Sequence, residues 1–328
     1  MADRRSTIED VAKRAGVSKS TVSRYLNGKP VRSGNYERIR EAVGYYHFKA
    51  NPFARLSAKR SKLIGIVLPD FDANTMPHVL TALDRYLRAK EYRPLFINTG
   101  GDLDFEIQSM EDLDRMRVDG IVVVANRLTQ AHYGQMERME TPVVFFGQEF
   151  EGGYSVVNDD LAAGEGLARW VVDHGYRKAG CLWVPEDDIA VGRRRKEGVL
   201  KGLAVGGMKD VPVWETGDSL WDACQRAKAI LSGSNPPDAL LCATDRIAYG
   251  VYKAARELGL RIPQDIGVTG FGGYETSVLL DPPLTTVSFD VETAAAICAD
   301  TILALHDAEA RPAPVQVVGF KYLFGGSV

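Results

Sequence analysis

Between residues 62 and 270 short apolar runs alternate with stretches of helical period, and that order admits few folds. Lys62-Leu-Ile-Gly-Ile-Val-Leu-Pro69 is an apolar run ended by proline, the pattern of a strand buried in a parallel sheet. The spacing predicts helix over 78–90, strand over 94–98, helix over 105–117, and strands over 119–125 and 141–146. A second series follows Val157, with helices over 162–174, 194–203, 222–231 and 247–258 between strands over 179–184, 211–214, 239–243 and 266–270. Such alternation builds doubly wound parallel sheets. Twelve or more elements exceed one comfortable sheet, so an α/β core of two Rossmann-like lobes is expected. Ligands in such sheets sit at the carboxyl ends of the strands, here the cleft between lobes.

Charge separates this core from what precedes it. Residues 1–62 hold fifteen Lys and Arg against five acids, a balance of +10, while the rest of the chain carries −13. A basic head on an acidic body fits a polyanion-binding module joined to one that avoids polyanions. The head reads as three short helices. Thr7-Ile-Glu-Asp10 is a capping signal for a helix ending near Ala15, with Ile8, Val11, Ala12 and Ala15 on one face. Gly16 permits a left-handed turn, and Ser18 caps a second helix, Lys19 to Leu26, stopped by Asn27-Gly28. A third, Asn35 to Tyr46, buries Ile39, Ala42 and Val43.

Two helices joined by so tight a turn form a helix-turn-helix, whose second helix enters the DNA major groove. With Val22 and Leu26 inward, the outer side of that helix carries Lys19, Ser20, Ser23, Arg24 and Asn27, with Thr21 beside them. Arg24 suits a bidentate pair with guanine, and Lys19 and Ser20 suit bases or phosphates. Thr7, Ser18 and Asn27 suit phosphate oxygens, which set register. Double-stranded DNA is the expected partner. One head covers one half-site, so a homodimer on a pseudo-palindromic site is expected.

Other classes fit poorly. No apolar run approaches the ~20 residues of a membrane span, and the first residues lack a signal-peptide core, so a cytoplasmic location is expected. Cys181, Cys224, Cys242 and Cys298 lie far apart with no C-x-x-C pair, which argues against zinc or disulfides. No phosphate-loop, H-E-x-x-H or G-x-S-x-G motif occurs, and Gly270-Phe-Gly-Gly-Tyr follows a late strand rather than opening a first βαβ unit. Neither an enzyme nor a bound cofactor or metal is expected, and a secreted binding protein would leave the helix-turn-helix unexplained.

The run from Thr7 through Val11-Ala-Lys-Arg-Ala-Gly-Val-Ser18 to Val22-Ser-Arg-Tyr-Leu-Asn-Gly28 resembles the DNA-binding head of the LacI/GalR family of bacterial regulators. The resemblance implies that Lys19, Ser20 and Arg24 read operator bases. It also implies a hinge helix, whose family pattern is matched here by Asn51, Ala54 and Arg55, with Ala50 where the family has proline and Leu56 one residue early. Leu56 is the candidate wedge into the minor groove. Val118-Asp-Gly-Ile-Val-Val, Asp173-His-Gly-Tyr-Arg, Ala243-Thr-Asp245, Ile262-Pro-Gln-Asp-Ile-Gly-Val and Pro283-Leu-Thr-Thr-Val resemble the family's periplasmic-binding-protein-like core. Shorter stretches resemble trehalose- and sucrose-operon repressors of that family.

The implied division is a helix-turn-helix domain at 1–48, a hinge at 49–61 and an effector-binding core at 62–328. The first lobe would take 62–156 and 286–316, and the second 157–285 and 317–328. Candidate effector residues are Asn74 and Asp159 at strand ends, and Trp221, which can stack on a sugar or merely pack. Arg195 matches the family's effector-binding arginine, three before Gly198, and with Arg193 can clamp an anion or simply form a solvated helix start. Asp245 resembles the family's pocket acid, or caps the helix that follows. The family often places Asp after G-F, where Gly272-Gly273 stand here; a pocket that gains arginine and loses that acid suits an anionic sugar, so of a sugar or a sugar phosphate the phosphate is the expected effector, one that releases the operator. Repression of sugar-utilisation genes is the expected role. Activation is the alternative, because operator position decides it.

Overall fold

Thr7 starts α1 (Ile8–Ala15) with a reciprocal cap: its hydroxyl accepts from the Asp10 amide, and the Asp10 carboxylate accepts from the Thr7 amide at 2.7 Å. Gly16, at φ 63°, turns the chain, and the Val17 amide donates back to the Ala12 carbonyl at 3.1 Å. α2 (Lys19–Leu26) opens at once, with the Ser18 hydroxyl accepting from the Thr21 amide at 3.2 Å. α3 (Ser33–Tyr45) starts two residues before its expected bound, because its first turn, Ser33-Gly-Asn, carries no apolar residue to announce it. Val11, Ala12, Ala15, Val22, Ile39 and Ala42 form the head's buried core, with Leu26 and Val43 half-buried against it.

The computed structural model describes residues 6–26, 28–48, 60–71, 75–217, 219–307 and 311–328. The chain divides into Met1–Ser61 and Lys62–Val328. Within the second unit lie two six-stranded sheets. The first comprises β1 (Leu63–Leu68), β2 (Arg93–Asn98), β3 (Gly120–Val124), β4 (Val143–Phe146), β5 (Tyr154–Asn158) and β11 (Val315–Val318), in the spatial order β11-β5-β4-β3-β1-β2. Every pairing in it is parallel. The second holds β6 (Ala179–Trp183), β7 (Val213–Glu215), β8 (Ala239–Cys242), β9 (Gly267–Phe271), β10 (Thr285–Phe289) and β12 (Phe320–Leu323), ordered β12-β10-β9-β8-β6-β7. Only its edge strand, β12, runs antiparallel.

Helices cover both sheets, as buried parallel strands require. The first sheet packs Ile64, Ile66, Val122 and Val144 against α4 (Met76–Ala89) and α12 (Val291–Asp307), with α5 (Leu103–Arg115) and α6 (Gln130–Met136) completing the lobe. The second packs Leu182, Trp183, Leu241 and Val268 among α7 (Asp160–Asp173), α8 (Lys196–Val205), α9 (Leu220–Leu231) and α10 (Asp245–Leu258). A π-helical turn, Ile189–Arg195, leads into α8, and a short α11 (Glu275–Val278) follows β9.

The lobe boundaries differ from the expected ones. Residues 286–289 belong to β10, which pairs with β9 and β12 in the second sheet, so the second crossover falls at Asp290 and not before 286. Likewise 157–158 complete β5, and 317–318 complete β11, both in the first sheet. An apolar run announces a strand but not which neighbour it will bond, so these crossovers were not fixed by pattern.

Candidate DNA-reading face and effector cleft

In the head, Lys19, Ser20 and Arg24 stand exposed on one side of α2, while Thr21 and Ser23 are half-buried. Lys19 pairs with Glu9 at 3.0 Å with both side chains largely in water, an interaction weak enough to yield to a phosphate or base. Arg24 donates to the Pro30 carbonyl at 3.1 Å. Ser18 sits within 2.8 Å of both the Ser20 and Thr21 hydroxyls. The Thr7 hydroxyl serves the cap of α1 and remains at the surface. Asn27, Asn51, Ala54, Arg55 and Leu56, with the rest of the expected hinge up to Lys59, lie outside the described residues.

In the second unit a cleft of about 1290 Å³ opens where the strands of both sheets end. Pro69 follows β1, Asn126 β3, Gln148 β4 and Asp160 β5, facing Pro185 after β6, Thr216 after β7, Thr244 after β8 and Gly272 after β9. Carboxyl-terminal strand ends are where open α/β sheets leave backbone groups and short loops free for a ligand.

Arg195 is the electrostatic centre of this cleft. Its Nε and Nη2 donate to Asp160 Oδ1 at 2.8 and 2.6 Å, and its Nη1 donates to the Ala243 carbonyl at 2.7 Å. The guanidinium carbon lies 4.7 Å from the Phe271 ring centre and 5.2 Å from that of Phe289. Arg195 and Asp160 are both nearly inaccessible, and burial pushes the Asp160 carboxyl above its ordinary range while Arg195 opposes that shift. Gln148, buried at the end of β4, donates from Nε2 to the Asn126 carbonyl and to Asp188 Oδ1, each at 2.9 Å, so a first-lobe amide grips the second lobe. Burial raises the Asp188 carboxyl as well, against the Val191 amide and Gln148, which donate to it. Tyr274 bonds the Thr75 hydroxyl across the cleft, and burial pushes its phenol up to about 12.

The expected effector residues are only partly gathered here. Arg195 lines the cleft; Arg193 does not, and is largely solvated 4.0 Å from Glu186. Residues two apart on a helical turn point to different sides, so an Arg193–Arg195 clamp is not built. Asp159 caps α7, accepting from the Ala162 amide at 3.1 Å, and leaves the cleft to Asp160. Trp221 is 65% exposed on α9 beneath the Lys253 ammonium, away from the cleft. Asp245 is fully buried as the first residue of α10, where Thr244 is the cap, and it binds the loop after β9 rather than the open cleft. Asn74 lies outside the described residues. The pattern missed Asp160, Gln148, Asp188, Phe271, Phe289 and Tyr274. The strand-end rule, applied to every strand and not only the first, fifth and eighth, points to Gln148, Phe271 and Phe289.

A three-helix head with an exposed reading helix, joined in one chain to a two-lobed core with a polar interlobe cleft, defines a ligand-responsive DNA-binding regulator. The sequence comparisons agree. Residues 7–51 match the model of the bacterial regulatory proteins of the lacI family, and 168–328 match a periplasmic binding protein-like domain. The ribose operon repressor of Bacillus subtilis is 31% identical over 285 residues, 86% of this chain and 86% of that protein. The sucrose operon repressor of Staphylococcus xylosus is 29% identical over 296 residues, 90% of this chain and 92% of that one. Among solved structures, the lac repressor dimer bound to operator and the anti-inducer ONPF superposes with a TM-score of 0.90 at 23% identity, covering 99% of both chains. The chain belongs to the LacI family of bacterial transcription regulators, and it is not an enzyme. No helix among the described residues is long and apolar enough to cross a membrane.

Proposed function

We propose that this regulator is a homodimeric repressor of carbohydrate-utilisation genes, working in the bacterial cytoplasm, whose affinity for a pseudo-palindromic operator is set by an uncharged sugar in the interlobe cleft. The head (1–48) reads each half-site through Lys19, Ser20 and Arg24, the segment 49–61 couples it to the core, and the core from residue 62 senses the effector. The choice of an uncharged sugar over a sugar phosphate rests on the charge of the cleft. Among the described residues, Glu106, Asp160, Asp187, Asp188, Glu215, Glu275, Asp290 and Glu292 line it, against Arg85, Arg127, Arg195, Arg246 and Lys321. Its most buried cation already satisfies Asp160 and a carbonyl. An arriving phosphate would have to displace that carboxylate, whereas hydroxyls can donate to the surplus acids and an apolar sugar face can pack on the half-buried Phe289.

A thermal-shift and calorimetry panel tests this: sucrose, trehalose, ribose and glucose beside their phosphates, followed by anisotropy of a labelled operator obtained by in vitro selection. A matching neutral sugar at a hundred times its Kd adds about 2.7 kcal/mol, a Tm rise of about 5 °C for a core of this size. It should also release the operator. Binding by phosphates alone would refute the charge argument, and a sugar that binds without changing operator affinity would refute the role as effector.

A further inference from the structure

The loop after β9 departs most from the expected pattern, with two glycines where a carboxylate was expected, and it is unusually well held. Asp245, sealed beneath it, accepts from the Gly273 amide at 2.8 Å, the Tyr274 amide at 3.4 Å and the Ser277 hydroxyl at 2.6 Å, and also from the Thr286 hydroxyl. Gly272 (φ 153°) and Gly273 (φ 65°) take backbone conformations that side chains rarely adopt. A Cβ on Gly272 would come 2.2 Å from the Tyr274 ring. The two glycines therefore let the tyrosine fold back over the chain into the space a side chain at 272 would fill. Its phenol bonds the Thr75 hydroxyl, and its ring stacks on His78 at 5.8 Å and 18°. Thr75 and His78 open the first helix of the other lobe, so one rigid loop of the second sheet grips the first turn of α4.

We propose that Tyr274 is a cross-cleft latch: through Thr75 and His78 it biases the core toward lobe closure before any effector arrives, and so sets how much effector is needed to switch the regulator. This rests on the cleft being the effector site. A ligand that binds the closed arrangement sees its apparent Kd divided by the fraction of molecules already closed, so a latch improves affinity without touching the ligand. The phenol keeps its proton at any physiological pH, because burial holds it near 12, and the bond is therefore made throughout that range. A neutral hydrogen bond of this kind shifts a two-state balance by about two- to tenfold.

The test uses amide hydrogen exchange on the full chain without sugar, in wild type, Tyr274→Phe, Thr75→Val and the double variant. Both single changes should speed exchange about two- to tenfold at the start of α4 and at 272–277 together, and the double variant should add nothing further. Faster exchange confined to 272–277, or effects of the two changes that add, would reduce Tyr274 to a local loop residue and overturn the latch. The Phe variant keeps the ring and its packing, so misfolding does not obscure the result. A second arm titrates the sugar found in the thermal-shift panel into all four proteins: each single change should weaken binding about two- to tenfold and the double variant no further. Unchanged affinity would overturn the regulatory claim, as would losses that add in the way separate contacts to the sugar do. If no sugar binds wild type, the effector reading fails while exchange still judges the latch.

Discussion

Asp245 shows how one residue type serves two jobs that a linear pattern does not separate. A carboxylate at the end of a central strand resembles a ligand-binding acid, yet here four donors converge on it from the loop after β9 and from Thr286. Burial raises its carboxyl above the ordinary range, and those hydrogen bonds pull the other way. Such a site is an anchor. Asp245→Ala leaves several buried donors unmatched at about 1–3 kcal/mol each, so the core should lose at least ~3 kcal/mol in urea unfolding. A loss below ~1 kcal/mol would mean that water replaces the carboxylate and the loop does not depend on it. Arg195 was legible for the opposite reason. It sits at a fixed offset from Gly198, and that glycine is required by contact: a Cβ there would meet the Leu161 carbonyl oxygen at 2.1 Å. Its partner Asp160 was hidden one residue beyond the cap, Asp159, that the pattern selected.

At the scale of elements, most long periodic segments were readable and the short or polar ones were not; the exception is α12, the longest helix among the described residues, whose alanine-rich run is apolar on more than one side and announces no single buried face. α2 has its expected bounds because a capping serine and an Asn-Gly stop bracket it. α6 escaped because the positions it buries are His132 and Gln135, not apolar residues. His132 sits 2.7 Å from buried Glu106, and its Nδ1 accepts from the Thr129 amide at 3.1 Å, so polar groups satisfy one another where a pattern search expects leucine or valine. The π-helical turn before α8 escaped likewise, since one wider turn has no period of its own. The α7–α8 pair shows what the sequence does encode once the contact is known. Gly164, Gly198 and Gly202 let the two helices approach until backbone meets backbone, with a Cβ on Gly164 falling 2.4 Å from the Arg195 carbonyl oxygen. Gly198→Ala should push the helices apart, costing about 1–3 kcal/mol or somewhat more. It should also weaken sugar binding, because Arg195 and Asp160 sit at the two helix starts that would separate. A variant as stable as wild type in urea, binding sugar equally well, would show that the pair has slack.

Across the whole molecule, the charge division of the sequence becomes a division of labour. The basic head meets a polyanion, and its Arg24 offers five donors in a planar fork suited to a guanine edge. The core carries the acidic surplus, and its cleft is lined by more acids than bases, which under the proposed function suits an uncharged ligand. Linkage joins the two: if a sugar weakens operator binding by some factor, saturating operator must weaken sugar binding by the same factor. That identity holds whichever state the sugar prefers, so it tests coupling rather than direction. Arg24→Ala then separates the sites. Losing a bidentate base contact should cost about 1–3 kcal/mol on the operator and flatten preference at one base pair in each half-site. Sugar affinity of the free protein should not move, because every described residue that lines the cleft belongs to the core unit. Calorimetric sugar titrations with and without operator, in both proteins, measure all four corners of this cycle. A coupling factor of one in the wild type would mean that sugar and operator do not act on one shared equilibrium, and lost sugar affinity in free Arg24→Ala would show that the reading helix influences the cleft.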